Sequence, residues 1–369
     1  MKKLLLLFII SFLFISCSKD DSTEIDIDPQ AFDREALMRN LTDNIIIPVY
    51  ENFDSKLSIL NSDLQSFNSN VSIENLEKLR QSFIDSYKSW QYVEMFNIGK
   101  AEEIYYHLKI NVYPVNVARV QNNMSSTSLD LDDCSSNKPN NCSAQGLPTV
   151  DFLLYGIAEN DSGIVELFGA ENSSYLNYLN LVISKIISNT SLIINDWLDT
   201  KESFISSFQN NSSSSLNMLA NDFVYYYEKG FRANKIGIPA GRFSGKLPQN
   251  VEAYYSQIYS KDYSLEALKA VENFFLGKSF GTEIDGTSFK DYIDYLDTEK
   301  TLSNLVLQSF ESSLNKIQLL DNNFSLQVNT DNVKMLEAYD AIQQGVVYLK
   351  TDMLSLMSIS VDYMDADGD

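Results

Sequence analysis

The chain is poor in the side chains on which most metalloenzymes depend. It has one histidine, His107, in 369 residues, which excludes every site built from two or more imidazoles. No His-Glu-x-x-His, no Gly-x-Ser-x-Gly and no phosphate loop of the Walker type occurs. A Ser-His-Asp triad would have to recruit His107, and nothing around that residue supports one. Positive charge is also scarce: 28 Lys and Arg stand against 50 Asp and Glu, a formal net charge of −22. That balance argues against nucleic acid as a partner, because phosphate binding needs concentrated Lys and Arg. It suits a protein that attracts cations. After the first sixteen residues no apolar run approaches the roughly 20 residues of a spanning helix. Segments of strictly alternating apolar and polar residues, the mark of strands, are missing too.

What is present begins with an export signal. Met1-Lys2-Lys3 is a short basic start, and an apolar run from Leu4 to Ile15 follows, broken only by Ser11. The run is too short to span a bilayer but suits the apolar part of a signal peptide. It ends in Phe14-Ile15-Ser16-Cys17, which resembles a lipobox, with Cys17 as the acylated residue and Phe14 bulkier than the usual Leu. An uncleaved anchor with an incidental cysteine is the alternative. Ser18-Lys19-Asp20-Asp21 resembles the surface-export signal of Bacteroidetes lipoproteins, and it also reads as a plain solvated tether. The expectation is a signal peptide over 1–16, an acidic tether over 17–32 and a lipid anchor to the outer membrane, on its periplasmic or outer face. Cleavage removes Lys2 and Lys3 and takes the formal charge from −22 to −24.

With Cys17 committed to lipid, Cys134 and Cys142 remain, flanking a polar Pro/Asn loop. In an oxidising compartment they read as a disulfide. A metal pair is the alternative, but no further Cys or His completes it.

From Asp33 onward apolar residues recur at helical spacing. Residues 33–66 read as one long helix disturbed near Pro48. Ser72 caps the next, with Leu76, Leu79, Phe83, Tyr87 and Trp90 three or four apart. A short helix near Glu102–Lys109, a break at Tyr113-Pro114 and a polar loop over 125–145 follow. Further helices are expected from Leu147-Pro148 through Tyr155 and over 174–198, 200–209, 214–235, 264–276, 288–320 and 331–358. Gly237 to Pro248 reads as a loop. Of the run Tyr225-Tyr226-Tyr227, at most two side chains can face a core. The fold class is all-α: two helical bundles packed side by side, 33–170 and 171–369, because one core rarely serves a chain this long.

The segment Gly146-Leu147-Pro148-Thr149-Val150-Asp151-Phe152-Leu153-Leu154-Tyr155-Gly156 resembles the signature region of the imelysin family, Gly-x-His-x-x-Glu followed by aromatic-Leu-Leu-aromatic-Gly. Three more stretches are similar to that family. They are Trp90 to Gly99 with Tyr113 to Asn116, Lys235 to Gly241 with Pro248 to Glu252, and Tyr363 to Asp369. The resemblance implies two helical bundles with a site between them and a periplasmic or lipoprotein setting often linked to iron uptake. Its founding activity is metallopeptidase-like. This chain departs at the decisive positions: Pro148 stands at the motif His and Asp151 at the motif Glu. Histidine and glutamate three apart share a helix face and could hold a metal together, whereas proline offers no donor atom.

The expected ligand-binding residues are Glu94, Arg119, Gly146, Asp151, Lys235 and Glu252, with Asp151 and Glu94 as the metal ligands and no catalytic residue. Glu94 lies on the aromatic face of its helix and reads either as a ligand or as the ion-pair partner of Arg119. Lys235 and Glu252 flank the Gly/Pro loop as candidates for a facing wall. His107 reads as a replacement ligand beside Glu102 and Glu103, or as a partly exposed helix residue. Carboxylate donors suit iron or calcium as the cofactor. Asp365-Ala366-Asp367-Gly368-Asp369 looks like the start of a calcium loop without its closing Glu, or a solvated tail. The resulting expectation is a binder of iron or another small ligand rather than a peptidase. A residual metallopeptidase and a metal-independent module for polysaccharide or peptide are the competing classes.

Overall fold

Pro48 leaves the carbonyl of Asn44 without its helical donor, and the fold supplies another: the Phe280 amide donates to it at 2.8 Å. The helix widens rather than breaks at this point. Helix α1 (Arg34–Leu41) passes through a π-helical turn, Thr42–Ile46, into α2 (Ile47–Ser69). The disturbance expected near Pro48 is that turn.

The computed structural model describes residues 31–126, 129–134, 139–282 and 284–363. The signal segment, Cys17, most of the tether and the tail from 364 onward lie outside the described residues. Within them the protein is all-α, as expected. An isolated bridge between Lys278 and Asp285 is the sole β pairing found there. No described helix is long and apolar enough to cross a membrane.

The long helices are α3 (Ile73–Val93), α4 (Gly146–Tyr155), α5 (Ser174–Ser206), α6 (Ser215–Tyr225), α7 (Ser260–Phe275), α8 (Thr301–Gln318) and α9 (Asn332–Val346). Helix α6 continues as a twelve-residue π-helical segment, Tyr226–Gly237, and then to Ala240; α9 continues likewise through Val347–Met353. Three sequence-based boundaries differ. The stretch 200–209 is no separate helix: Thr200-Lys201-Glu202 contains no breaker, so α5 runs on to Ser206. The loop expected from Gly237 is helical to Ala240 and stops at Gly241, whose φ of +79° favours glycine. The stretch 288–320 is two helices, Phe289–Leu296 and α8, parted where Lys300 turns left-handed at φ +56°.

The described residues from Asp33 onward form one compact unit. Helices α2 and α3 pack together, α5 crosses α2 and covers α4, and α7, α8 and α9 gather around the Tyr226–Gly237 segment. The two groups meet where α3 packs on α7. There Tyr87 and Tyr263 lie with ring centroids 4.5 Å apart, and the Tyr92 hydroxyl donates to Glu266 at 2.6 Å. Leu76, Leu79, Phe83, Tyr87 and Trp90 are all buried. Full burial of an apolar side chain of this kind contributes roughly 1.5–3 kcal/mol. Of the tyrosine run, Tyr226 and Tyr227 are buried and Tyr225 is exposed. Cys134 and Cys142 are disulfide-bonded, with Cα atoms 5.0 Å apart, in agreement with the cysteine reading.

Candidate functional site

Helix α3 ends at Glu94, and its last turns present Tyr87, Gln91 and Glu94 inward, three or four residues apart. The π-helical segment opposite presents Tyr226 and Lys235. These side chains meet Asn111 and Glu252 in one buried polar network. Lys235 Nζ donates to Gln91 Oε1 at 2.7 Å and to Glu252 Oε2 at 2.8 Å, and stands 2.9 Å from Glu94 Oε2. The ammonium thus has two hydrogen-bond acceptors and a second carboxylate within ion-pair range. Asn111 bridges the two carboxylates, donating to Glu94 Oε1 at 2.6 Å and Glu252 Oε1 at 2.7 Å. Tyr87 donates to Asn111 Oδ1 at 2.6 Å, and Tyr226 to Glu94 Oε2 at 3.1 Å.

Burial works against the Lys235 charge, but Glu252 and Glu94 outweigh it and hold the ammonium pKa above its ordinary value. Burial raises the Glu252 carboxyl, with Lys235 opposing. By formal count the network holds two carboxylates and one ammonium.

This network forms a wall of a cavity of about 650 Å³. Glu94, Asn111, Tyr113 and Tyr226 reach it, as do Glu102, His107, Asp222, Lys229 and Asp362. Gly230 belongs to the same wall: a Cβ there would overlap the Tyr226 ring, so the absence of a side chain lets that ring fold back. His107 sits on the short helix Tyr106–Ile110, half-buried, with Nδ1 2.8 Å from Asn97 Oδ1. Burial lowers its pKa, against the pull of Glu94, and keeps the imidazole neutral near pH 7. Glu103 turns away to pair with Lys100 at 2.6 Å.

The structure thus brings Glu94, Lys235 and Glu252 together and places the other sequence candidates elsewhere. Arg119 does not pair with Glu94; its guanidinium donates to Asn141 at 2.5 Å. Asp151 lines a separate pocket of about 250 Å³ with Pro148, Tyr113 and Tyr255. Its Oδ2 accepts the Tyr255 amide at 2.9 Å and its Oδ1 the Ser256 amide at 3.2 Å. Burial pushes the Asp151 carboxyl up to about 6, with those amides pulling the other way. Gly146 opens α4 at φ +76°, where a Cβ would stand inside the Ile110 carbonyl. Its role is a backbone contact. Arg80 holds the far end of α4, donating to the Leu154 carbonyl at 2.8 Å while stacked over Tyr155.

Among the described residues, no group of three or more His, Cys, Asp or Glu side chains is arranged to hold a metal ion. Sequence reasoning missed Gln91, Asn111, Tyr226 and Asp222. Gln91 could have been found, because it shares a helix face with Tyr87 and Glu94. Nothing in the local sequence marks Asn111.

No curated protein matches the chain. Among solved structures, an imelysin-like protein from Psychrobacter arcticum is 17% identical, with a TM-score of 0.69 over 90% of this chain and 99% of that one. A protein assigned as an iron-regulated protein A precursor, from Parabacteroides distasonis, is 16% identical, with a TM-score of 0.66 over 88% and 94%. At such identities the likeness speaks for the fold alone. The family model described as imelysin matches residues 46–349, most of the helical body and every element of the buried network, and the chain belongs to the imelysin family.

Proposed function

We propose that this is a binding protein of the bacterial cell envelope, anchored through Cys17 to the outer membrane, that holds a small iron-carrying ligand and cleaves no peptide. The observation that carries the reading is the cavity beside Glu94. Its volume of about 650 Å³ falls in the range of small-molecule sites, roughly 300–1,000 Å³. The link to iron leans on the fold neighbour assigned as an iron-regulated protein. Against hydrolysis stand Pro148, which has no donor atom, and Asp151, whose two oxygens accept backbone amides. A zinc hydrolase needs about three protein ligands and an open position for water.

The test uses the mature chain with Cys17→Ser, titrated calorimetrically with ferric ion as its neutral tris(acetohydroxamate) chelate. Saturable uptake is expected, and Met218→Trp, which plugs the cavity, should abolish it. No uptake, or uptake indifferent to the plug, would remove the proposal. Chelator-sensitive cleavage of casein that disappears in Asp151→Ala would instead favour a peptidase.

A further inference from the structure

We infer that the cavity beside Glu94 selects molecules bearing an ammonium group: small organic cations, rather than bare metal ions, anions or neutral sugars. The inference rests on reading this cavity as the binding site and adds the charge and chemical class of its occupant.

Four carboxyl groups line the cavity, Glu94, Glu102, Asp222 and Asp362, against one ammonium, Lys229. The Lys229 ammonium is held back toward Glu228, with Nζ 3.3 Å from Oε1, within ion-pair range though outside hydrogen-bond geometry. Glu228 also faces Arg232 and Lys350, so the four lining carboxyl groups still outnumber the cations they meet. On the opposite wall a single ammonium, Lys235, is shared between two carboxyl groups, Glu94 and Glu252. Among the described residues, Glu102, Asp222 and Asp362 form no ion pair. The Asp222 carboxyl is pushed up to about 8, first by burial and then by the negative charges of Glu102 and Asp362. Such crowding of like charge is relieved by a cation and aggravated by an anion. The neutral imidazole of His107 offers no compensation.

The remaining wall explains why the cation is organic. Tyr113, Tyr225 and Tyr226 bring aromatic rings to the cavity. Tyr363, which also lines it, already carries the Lys350 ammonium over its ring at 4.9 Å, the same contact that the wall can offer a ligand. Tyr225 and Tyr363 meet edge to face with centroids 5.0 Å apart. A ring face attracts an ammonium group through its quadrupole, and apolar Met95, Ile98 and Val112 accommodate the carbon skeleton. A bare metal ion is best held by three or more converging His, Cys, Asp or Glu side chains, and no such group is arranged among the described residues.

The experiment titrates the same Cys17→Ser chain at about pH 8.5, above the Asp222 value, with choline and 1,4-diaminobutane, following tyrosine fluorescence and heat. The controls are 3,3-dimethylbutanol, a neutral isostere of choline, and succinate. Both cations should bind saturably, the isostere about tenfold more weakly or worse, and succinate not at all. Asp222→Asn should weaken choline by about tenfold; Asp362→Asn serves the same arm if Asp222→Asn does not fold. Equal binding of choline and its isostere, binding of succinate, or indifference to both variants would overturn the inference. Failure of both amines while the neutral ferric chelate still binds would overturn the charge class and leave the cavity reading standing. If nothing binds, both fall.

Discussion

The Asp151 carboxylate accepts the backbone amide of Tyr255 at 2.9 Å, across a sequence separation of 104 residues. The helix that begins at Gly146 is thereby fastened to the loop that carries Glu252 into the polar network. The family's signature turn works in this chain as a clamp on the opposite wall.

Removing that clamp should be costly and pH-sensitive. Asp151→Ala strands two backbone amides and should lower stability by about 2–4 kcal/mol in urea melts near neutral pH. The folded pKa of about 6 lies above the ordinary 3.8. Protonation is thus favoured by folding, and the associated stability is present below pH 4 and lost as pH rises through 6. The loss amounts to about 3 kcal/mol. The alanine variant should lack that slope; an identical slope in both proteins would refute the assignment.

Lys235→Met should be among the most damaging single changes. It leaves Glu94 and Glu252 facing each other without their cation, which costs about 3–5 kcal/mol. Adding Glu252→Gln removes one of the stranded charges and should recover part of the loss in the same melts. Strict additivity of the two changes would mean that the residues are not coupled.

Gly146→Ala tests the backbone role of the motif glycine. The position needs φ +76° and lies against the Ile110 carbonyl, so a methyl group brings both strain and overlap. The expected cost is about 2–4 kcal/mol, read from chemical denaturation followed by circular dichroism. A neutral result would show that the 109–111 segment can retreat.

Asp222 should make the protein less stable in mild alkali. Its folded pKa, about 8, is raised by burial and by Glu102 and Asp362. The contribution of the protonated form is whole below pH 4 and disappears as pH rises through 8. Asp222→Asn cannot ionise, so its Tm should fall less than that of the wild type between pH 6 and 9. Parallel curves would place the proton elsewhere.

Much of the architecture was legible in the sequence because helical periodicity is local. Leu76, Leu79, Phe83, Tyr87 and Trp90 declare one buried stripe, and all five are buried. Ser72 declares its cap, accepting the Asn75 amide. Periodicity said less about where helices stop. Nothing in Thr200-Lys201-Glu202 halts α5 before Ser206, and of two nearby glycines it is Gly241, not Gly237, that takes the left-handed turn ending the extension to Ala240. The site was legible by halves. Glu94, Lys235 and Glu252 stood out because charged groups flanked apolar or Gly/Pro-rich segments. The partner of Glu94, however, lies 141 positions away in Lys235, whereas the nearer Arg119 turns to Asn141.

Residue types alone determined that the chain would be helical, acidic and deprived of an imidazole at the signature turn, and they favoured a Cys134–Cys142 disulfide over a metal pair. These follow from spacing, composition and the absence of a donor atom on Pro148. Tertiary structure decided that Asp151 grips a loop while Glu94 borders a cavity. Both are carboxylates at the edge of an apolar segment, and what distinguishes them is which backbone amide and which ammonium lie within 3 Å once distant helices have packed.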